Sequence, residues 1–483
     1  MSDRCFKLAE QLRTAGWFVY ESSLAESEGT ACAIARRDGR KLLAVSGLRA
    51  NLFSGSEEDG ILFCELVPEN AEGLFILFPY TKPVSHRGRP FTMGLGDRLG
   101  RATPGHVRIA KEYGVFPILA QQSIRELNLT GRTFADVIAA AAFGVFQEGY
   151  RDGSGADGDH LKTKDEIKYA VESGCTMITL DCSEHIDIQA AELSDAEAEA
   201  RYLTLPAATR SHYEETYLNR ELPVIGRIRP ADLYRIVLVF HRAAVHAIDC
   251  YRYIDTIRTA EMDFELSIDE TRTITSPAEH FIVANELALV GITPDSVAPH
   301  FSGEFEKGIE YSGDLHAFAR DFAAHQKIAD HFGYKLSVHS GSDKFSVFST
   351  VGRMTGGHVH VKTAGTNWLE AVAVLAEHDP ALYRKAHKFA VEHRPEAEKY
   401  YHVTTDPTTI PDIDLESDAY LPEYLVLPAS RQTLHITYGL LLAQDWFRDP
   451  FFAFLLDHEE EYYARLGRHI GKHLRYLTAE MSK

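Results

Sequence analysis

The sequence lacks the long apolar and signal-like segments of membrane and secreted proteins. A membrane-spanning helix needs about 20 consecutive apolar residues, whereas the longest apolar runs, such as residues 137–146, are far shorter. The N-terminus is polar, and no apolar core of a signal peptide follows it. No internal repeat and no low-complexity tail are visible. We therefore expect a soluble, cytoplasmic protein with no membrane partner.

The sequence also lacks an excess of basic residues and a paired cysteine motif. The chain carries 50 Lys and Arg against 70 Asp and Glu, a formal net charge of -20. This balance argues against a nucleic-acid partner and against a polybasic membrane anchor, because both depend on excess positive charge. The six cysteines are scattered without a Cys-x-x-Cys pair. Such usage is typical of reduced thiols in a cytoplasm.

Nucleotide-binding motifs are missing too. No Walker A sequence is present, and no Gly-x-Gly-x-x-Gly opens a helix. The segment Met93–Gly100 has a similar glycine content, but its Asp97 and Arg98 suit a small-ligand pocket better than a pyrophosphate cradle. The sequence therefore does not indicate a dinucleotide cofactor.

From about residue 90, short apolar strands alternate with helical segments. The strands are predicted at residues 91–97, 116–122, 155–161, 176–181, 262–267, 296–300, 334–339 and 357–362. Eight such units predict an α/β fold, a closed (β/α)8 barrel of the TIM type. A doubly wound open sheet is the competing interpretation, and the missing glycine motif weakens it.

The rest of the chain predicts additions to this barrel. The N-terminal part combines a short helix with apolar segments at 41–46, 61–67 and 74–78 that we expect to be strands. The aromatic-rich C-terminal end is expected to cap the barrel or to form a contact in a homo-oligomer. The predicted organisation is an α+β extension at residues 1–88, a barrel domain at 89–370 with a helical insertion at about 183–258, and a helical region at 371–483.

Chemically active residues gather at the carboxyl ends of the predicted strands, where TIM barrels hold their active sites. The densest stretch is Gly155–Thr163, in which small residues precede Asp159, His160 and Lys162. Adjacent residues of an ideal strand point to opposite faces, so we expect either a bulge or the end of the strand at Asp159 and His160. An ordinary Asp-Gly turn would explain this stretch alone, but similar endings recur on later strands.

Three histidines lie on three different predicted strands, each at this same end. Three neutral imidazoles leave coordination positions open for water or substrate, which is the pattern of a catalytic metal site. We therefore predict that His160, His300 and His339 bind one divalent cation, such as Zn²⁺, Mn²⁺ or Ni²⁺. The alternatives are a loop-entry residue after Pro299 for His300 and a core histidine beside serines for His339.

Asp159 and Glu265 are the predicted acid–base pair. Glu265 lies within an apolar strand, where an unpaired carboxylate is costly, so it needs a cationic partner or a pKa raised for catalysis. A purely structural ion pair with a Lys or Arg is the other interpretation of Glu265. Asp157 and Asp181 are alternatives for either role.

Several polar residues near strand ends, and basic residues there that include Lys362, could hold an anionic substrate. Solvated surface positions are the alternative, and for Lys344 the two interpretations are balanced. His435, in the C-terminal part, is expected to be structural. The substrate-binding candidates are Arg98, Gln122, Lys162, Asp181, Lys335 and Lys344.

Four segments resemble the tagaturonate/fructuronate epimerase family of bacterial hexuronate catabolism. They are Gln121–Leu127, Phe146–Gly153, Gly155–Thr163 and Thr176–His185. The resemblance extends over most of the chain and is most specific between about residues 90 and 190. It implies that a divalent-metal enzyme interconverts D-tagaturonate and D-fructuronate, two small keto-uronates. It also implies a proton acceptor at Asp159, a proton donor at Glu265 and metal ligands at His160, His300 and His339.

The implied reaction fits these residue types. The two sugars differ at a carbinol carbon β to the ketone, whose C–H bond the carbonyl does not activate. A retro-aldol cleavage followed by re-closure can invert this carbon, with carboxylates moving protons and a metal stabilising the enolate. The alternatives are a class II aldolase or lyase on a sugar acid, a ketose isomerase, and a sugar-acid binding protein without catalysis.

Overall fold

The chain forms two separate β-sheets, and the second closes into a barrel. The structure, a computed structural model, describes residues 2–269, 271, 273–363, 365–401 and 403–479. The first sheet is antiparallel and belongs to the N-terminal region. Its strands are β1 (Phe18–Val19), β2 (Ala25–Ser27), β3 (Thr30–Arg37), β4 (Arg40–Gly47), β5 (Ser56–Glu58) and β6 (Ile61–Cys64).

Eight parallel strands make up the barrel, in the closed order β7 to β14. They are β7 (Phe91–Gly94), β8 (Phe116–Gln122), β9 (Gly155–Leu161), β10 (Met177–Asp181), β11 (Asp263–Ile268), β12 (Ser296–Pro299), β13 (Lys335–Val338) and β14 (Val359–Lys362). Nearly all of their residues are buried, because helices cover the outside and side chains fill the inside. The predicted (β/α)8 barrel is confirmed.

Helices accompany both sheets and form the C-terminal region. They are α1 (Asp3–Thr14), α2 (Pro68–Leu77), α3 (Thr103–Tyr113), α4 (Ile124–Thr130), α5 (Phe134–Gln147), α6 (Lys164–Glu172), α7 (Asp195–Tyr202), α8 (Ala207–Tyr217), α9 (Pro230–Ile257), α10 (Pro277–Leu289), α11 (Leu315–Phe332), α12 (Phe345–Thr355), α13 (Thr366–His378), α14 (Pro380–Ala397), α15 (Pro428–Ile436), α16 (Tyr438–Leu442), α17 (Asp445–Asp457) and α18 (Glu459–Thr478). The chain divisions predicted at residues 88 and 370 stay predictions.

One predicted strand is wrong. Residues 74–78 were expected to extend, but Pro68–Leu77 is helix α2, and its Ala71, Leu74 and Leu77 are buried at helical spacing. A proline at the first helical turn favours the start of a helix there. A short apolar run by itself does not distinguish a buried strand from a buried helix.

The C-terminal helices pack directly on the barrel. Helix α18 contacts α3 and α12 on the barrel's outer ring. A second hydrophobic core lies among α13 to α18 and contains several aromatic residues of the C-terminal end, including Phe447, Phe451 and Tyr462. This region therefore covers part of the barrel, as one of the two sequence interpretations expected.

Two further observations bear on the sequence predictions. All six cysteines are described, and each is a buried free thiol. Among the described residues no single helix is long and apolar enough to cross a membrane, although α4 and α5, bent by 79° to each other, pass that length and composition test as a pair.

Candidate active site

The carboxyl ends of the barrel strands surround a small cavity of about 60 Å³. Asp159, His160, His339 and Lys362 line it together with Arg98 and residues of the C-terminal region. A larger cavity, about 500 Å³, lies between the N-terminal region and helices α3 and α5 and contains none of these residues. We place the candidate active site in the smaller cavity, because ionisable groups converge there and TIM barrels use this end for catalysis.

A bulge in β9 brings Asp159 and His160 to the same cavity. The register between β9 and β10 shifts within this stretch, and His160 has a left-handed backbone with φ of 53°. Both side chains consequently line the cavity, and His160 Nδ1 lies 2.8 Å from Asp159 Oδ1. The strand then ends because Thr163 and Glu166 form a capping box that starts helix α6. The bulge expected from the sequence is present.

Lys362, at the end of β14, is the centre of a buried charge cluster. Its Nζ lies 3.0 Å from Asp157 Oδ2, 2.7 Å from Asp159 Oδ1 and 2.8 Å from Glu265 Oε1. It also donates to Thr179 Oγ1 at 2.5 Å. Three carboxylates and one ammonium therefore meet inside the barrel, and two of these groups, Asp159 and Lys362, line the cavity. A buried carboxylate needs such a partner, since desolvation otherwise favours its neutral form.

Glu265 lies behind this cavity rather than on its wall. Its side chain is fully buried, and it is not among the lining residues. Its Oε1 accepts from His339 Nε2 at 2.8 Å, and its Oε2 accepts from Ser296 Oγ at 2.5 Å. Glu265 thus reaches the cavity through two groups that do line it, His339 and Lys362.

The charges of these groups set their protonation. Burial, the largest single influence, would raise the pKa of Asp159 and of Glu265. Lys362 acting together with His160 for Asp159, and together with His339 for Glu265, outweighs burial, and both pKa values fall well below the usual range. Burial raises the pKa of Asp157 to about 6 despite Lys362. The cluster therefore holds two ionised carboxylates and a third that is closer to neutrality.

Two histidines and a carboxylate stand close enough to share a metal ion. One ligand atom each from His160, Asp269 and His339 lie within 4.8 Å of one another. His339 Nδ1 is buried and lies 3.1 Å from Asp269 Oδ2, an ion-pair distance. Imidazole nitrogens and carboxylate oxygens are the ligands that a divalent ion such as Zn²⁺ takes in proteins. These residues fit the predicted divalent cation.

The hydrogen bonds of these histidines also suit ligation. A metal-bound imidazole usually donates its other N–H to a carboxylate or a carbonyl. His160 Nδ1 meets Asp159, and His339 Nε2 meets Glu265. Burial would lower the pKa of His339, but Asp269 and Glu265 raise it to about 10, so a cation at this position has to replace the proton of His339.

His300, the third predicted ligand, lies outside this group of three. It follows β12, and its Nδ1 donates to Thr271 O at 2.9 Å. This bond fixes the tautomer in which Nε2 carries the lone pair. Thr275 accepts from the His300 backbone N–H at 3.0 Å and so attaches His300 to the same loop that carries Asp269.

Of the six substrate-binding candidates, only Arg98 lines the cavity. Gln122 donates to Asp97 O, and Lys162 extends toward Asp181 and Glu184 at the rim. Asp181 accepts from the backbone N–H of Ser183 at 2.8 Å. These three therefore stabilise loops around the strand ends.

The two remaining lysine candidates are buried elsewhere. Lys335 begins β13 and lies at the opposite end of the barrel, where its Nζ meets His86 Nδ1 and Thr92 Oγ1, each at 3.2 Å. Lys344 donates to three backbone carbonyls, those of Glu306, Ile309 and Ser342. Both have structural partners in place of a ligand.

The sequence reasoning did not select Asp269, and it treated Lys362 only as one basic residue among several. Asp269 follows β11 directly, after Ser267, whose hydroxyl donates to it. A polar residue at the end of an otherwise apolar strand was the available signal. For Lys362 the signal was a buried lysine facing three acidic strands, and that arrangement is visible only once the barrel closes.

A second group with metal-ligand side chains consists of Asp343, His469 and His473. His473 Nδ1 donates to His469 O, and its Nε2 accepts from Asp343 N–H at 2.9 Å. Asp343 Oδ2 also accepts a hydrogen bond from Arg431 Nη2 at 2.7 Å. Because both ring nitrogens of His473 are already bonded, this group attaches α18 to the loop after β13 and is not a metal site.

Known proteins resemble this chain over nearly its whole length. The sequence profile of the UxaE tagaturonate epimerase family matches residues 20–477. A tagaturonate/fructuronate epimerase of Thermotoga maritima is 39% identical over 472 residues, which are 96% of this chain and 97% of that protein. The native crystal structure of a fructuronate-tagaturonate epimerase from Cohnella laeviribosi superposes with a TM-score of 0.94 at 49% identity and covers 99% of both chains. The protein belongs to the tagaturonate epimerase family.

Proposed function

We propose that the protein is a divalent-metal-dependent epimerase that interconverts D-tagaturonate and D-fructuronate. The relatives that match this chain over nearly its full length are named for this activity. The observation that carries the proposal is the pairing of Asp159 with His160 on one bulge, so that an ionised carboxylate adjoins a candidate metal ligand in the cavity.

The position of the inverted carbon favours a retro-aldol route. This carbon is β to the ketone, so removing its own proton would give no stabilised carbanion. Removing the proton of its hydroxyl instead lets the bond to the neighbouring α carbon break, which leaves an aldehyde and an enolate. After the aldehyde group turns, the same bond re-forms on its other face, and the proton returns to the new hydroxyl.

Asp159 is the proposed proton acceptor for that hydroxyl. Lys362 and His160 keep its carboxylate ionised, and it lines the cavity where the sugar would lie. Glu265 is the proposed second acid–base group, which serves when the two sugars are converted in the opposite direction. Because Glu265 does not line the cavity, it would act through Lys362, whose Nζ lies 2.7 Å from Asp159 and 2.8 Å from Glu265.

The cation would be held by His160 and His339, with Asp269 beside them and His300 on the next strand end. When bound, such an ion supplies Lewis-acid stabilisation of negative charge on a sugar oxygen. The protein's own contribution is to fix the imidazoles through Asp159 and Glu265 and to keep the surrounding strand ends largely closed to water.

The test is the conversion of D-tagaturonate by purified protein in D2O, with a reagent that traps aldehydes. We expect D-fructuronate without deuterium at the inverted carbon, because that C–H bond never breaks. Deuterium at this carbon would contradict the retro-aldol route. Net release of aldehyde fragments would identify an aldolase or lyase. Deuterium exchange at an α carbon would identify an isomerase, and binding without turnover would identify a non-catalytic sugar-acid binding protein.

A further inference from the structure

One end of the active-site cavity contains buried polar atoms that the protein itself does not use. Arg98 is 6% exposed and His435 is 2% exposed, and both line the cavity. Within the described part of the chain, Arg98 Nε and Nη1 and both ring nitrogens of His435 make no hydrogen bond. Because buried polar atoms are nearly always hydrogen-bonded in native proteins, four such atoms at one place indicate a ligand.

Arg98 is held firmly on one side only. Its Nη2 donates to Glu126 Oε1 at 2.5 Å, and its guanidinium carbon lies 4.3 Å from the ring centre of Tyr438. Glu126 is itself fixed, because it forms the capping box of α4 with Ser123. The guanidinium is therefore pre-positioned, and the N–H groups of Nε and Nη1 remain as donors.

His435 extends from α15 to the same place. A Cβ atom at Gly365 would lie 2.9 Å from His435 Nε2 and 3.4 Å from Arg98 Nη2, so the two side chains converge over this glycine. Gly308 packs on the other part of the ring, where an added Cβ atom would lie 3.2 Å from His435 Nδ1. Burial, and then the charges of Arg98 and Lys307, lower the pKa of His435 well below its usual range. The ring is thus neutral, with one N–H donor and one acceptor.

The donors at this end of the cavity suit an anion. Glu126 occupies only Nη2 of the Arg98 guanidinium, so Nε and Nη1 remain for another acceptor. A guanidinium with unused donors is the side chain best suited to a carboxylate. A neutral hydroxymethyl group could accept one of these hydrogen bonds, but it lacks the negative charge that strengthens a hydrogen bond from a guanidinium.

We propose that Arg98 and His435 form the subsite for the carboxylate of the sugar acid. The substrate then lies with its carboxylate toward α15 and its reacting carbons toward Asp159 and His160. This inference rests on the proposed function, and it makes the C-terminal helical region a part of the active site.

The test compares each sugar acid with the same sugar lacking the carboxylate. D-Tagatose has a hydroxymethyl group where D-tagaturonate has its carboxylate, so kcat and KM are measured for both. The variants are Arg98→Met, Arg98→Met with Glu126→Gln, His435→Phe and the conservative Arg98→Lys. The double variant removes the ion pair as a unit and so avoids leaving Glu126 buried without its partner. Arg101→Met is the matched control, since Arg101 lines the other cavity.

We expect the Arg98 and His435 variants to lower kcat/KM for tagaturonate by about 30-fold or more, mainly through KM. The value for tagatose should stay within about threefold of the parent enzyme's value. Arg98→Lys should recover part of the loss, and Arg101→Met should change neither sugar. Equal losses for both sugars, or an unchanged preference for the acid, would overturn the proposal.

A binding measurement separates this proposal from the proposed function. Calorimetry with D-gluconate and sorbitol, which differ only in the carboxylate, needs no turnover. If the protein fails to epimerise tagaturonate but prefers gluconate, and the Arg98 variants abolish that preference, the subsite stands and the proposed reaction falls. If the parent protein binds gluconate no better than sorbitol and also shows no preference for the uronate, the subsite is refuted.

Discussion

Lys362 keeps three buried carboxylates together, and its loss would expose their mutual repulsion. Lys362→Met leaves Asp157, Asp159 and Glu265 without their shared cation. Breaking one side of a buried ion pair costs about 3–5 kcal/mol. We expect a lower melting temperature and, in the protein that remains folded, a fall in kcat of at least about 100-fold, because Asp159 would then be held neutral.

Lys335→Met is the matched control for that variant. Lys335 is also a buried lysine at the barrel axis, but it lies on the preceding strand at the opposite end, beside His86 and Thr92. Lys335→Met should lower the melting temperature while leaving kcat within about threefold of the parent value. A large loss of kcat from Lys335→Met would contradict our placement of the site.

The adjacent acids Asp157 and Asp159 are expected to differ in function. Only Asp159 lines the cavity and contacts His160. Asp159→Asn should lower kcat by roughly 10²–10⁴-fold, the usual contribution of a general base, while the bound metal is retained. Asp157→Asn should reduce kcat by less than about tenfold, since Asp157 contributes only to the charge balance around Lys362. Steady-state kinetics with metal analysis of the same samples would show the order, and the reverse order would reject Asp159 as the base.

The sequence identified individual site residues better than it identified their contacts. A bulge at Asp159 and His160 followed from the strand period, because two adjacent reactive residues cannot share a face of an ideal strand. The convergence of Arg98 on His435 could not be predicted in this way. About 340 residues separate them along the sequence, and no local pattern records which helix of the C-terminal region covers the barrel mouth.

At the scale of elements, α18 depends on one close approach to the barrel. A Cβ atom at Gly352 of α12 would collide with the backbone carbonyl of Leu477 in α18. Backbone atoms cannot move aside as a flexible side chain can, so Gly352→Ala must push the two helices apart. Overpacking of this kind typically costs about 1–3 kcal/mol. We expect a lower melting temperature in thermal unfolding followed by circular dichroism.

Gly467→Ala is the control within α18 itself. No atom lies within 4 Å of a Cβ added at Gly467. Alanine is favoured over glycine inside a helix by about 1 kcal/mol, so this variant should be neutral or slightly more stable. If both glycine variants destabilise the protein to the same extent, the close contact between α12 and α18 is not the cause.

Strands and helices were predictable to different degrees from the same physical signals. The barrel strands were found because short apolar runs each ended in polar residues and alternated with helical periodicity. The strand predicted at residues 74–78 was wrong because a run of five apolar residues is compatible with a buried strand and with the end of a buried helix. Pro68 was the local signal that favoured helix α2, since proline is well suited to a first helical turn.

For the whole molecule, a bound cation would join separate strand ends. The proposed ligands lie at the carboxyl ends of β9, β11, β12 and β13, so the ion would link half of the barrel. Binding to the folded state alone stabilises a protein by RT ln(1 + [L]/Kd), about 2.7 kcal/mol at 100 times Kd. We expect a chelator to abolish activity and to lower the melting temperature, and an added divalent ion to restore both. Full activity in metal-free protein would contradict the proposal.

Substitutions of the proposed metal ligands show which residues bind the cation. His160→Ala and His339→Ala should lose bound metal and the melting-temperature response to added metal. Asp269→Ala and His300→Ala then decide which residue completes the set. Asp269 lies within 4.8 Å of both histidines, and we therefore expect Asp269→Ala to weaken metal binding at least as much as His300→Ala. If only His300→Ala has an effect, the ion lies closer to β12, and Asp269 acts by orienting His339 rather than by ligating the metal.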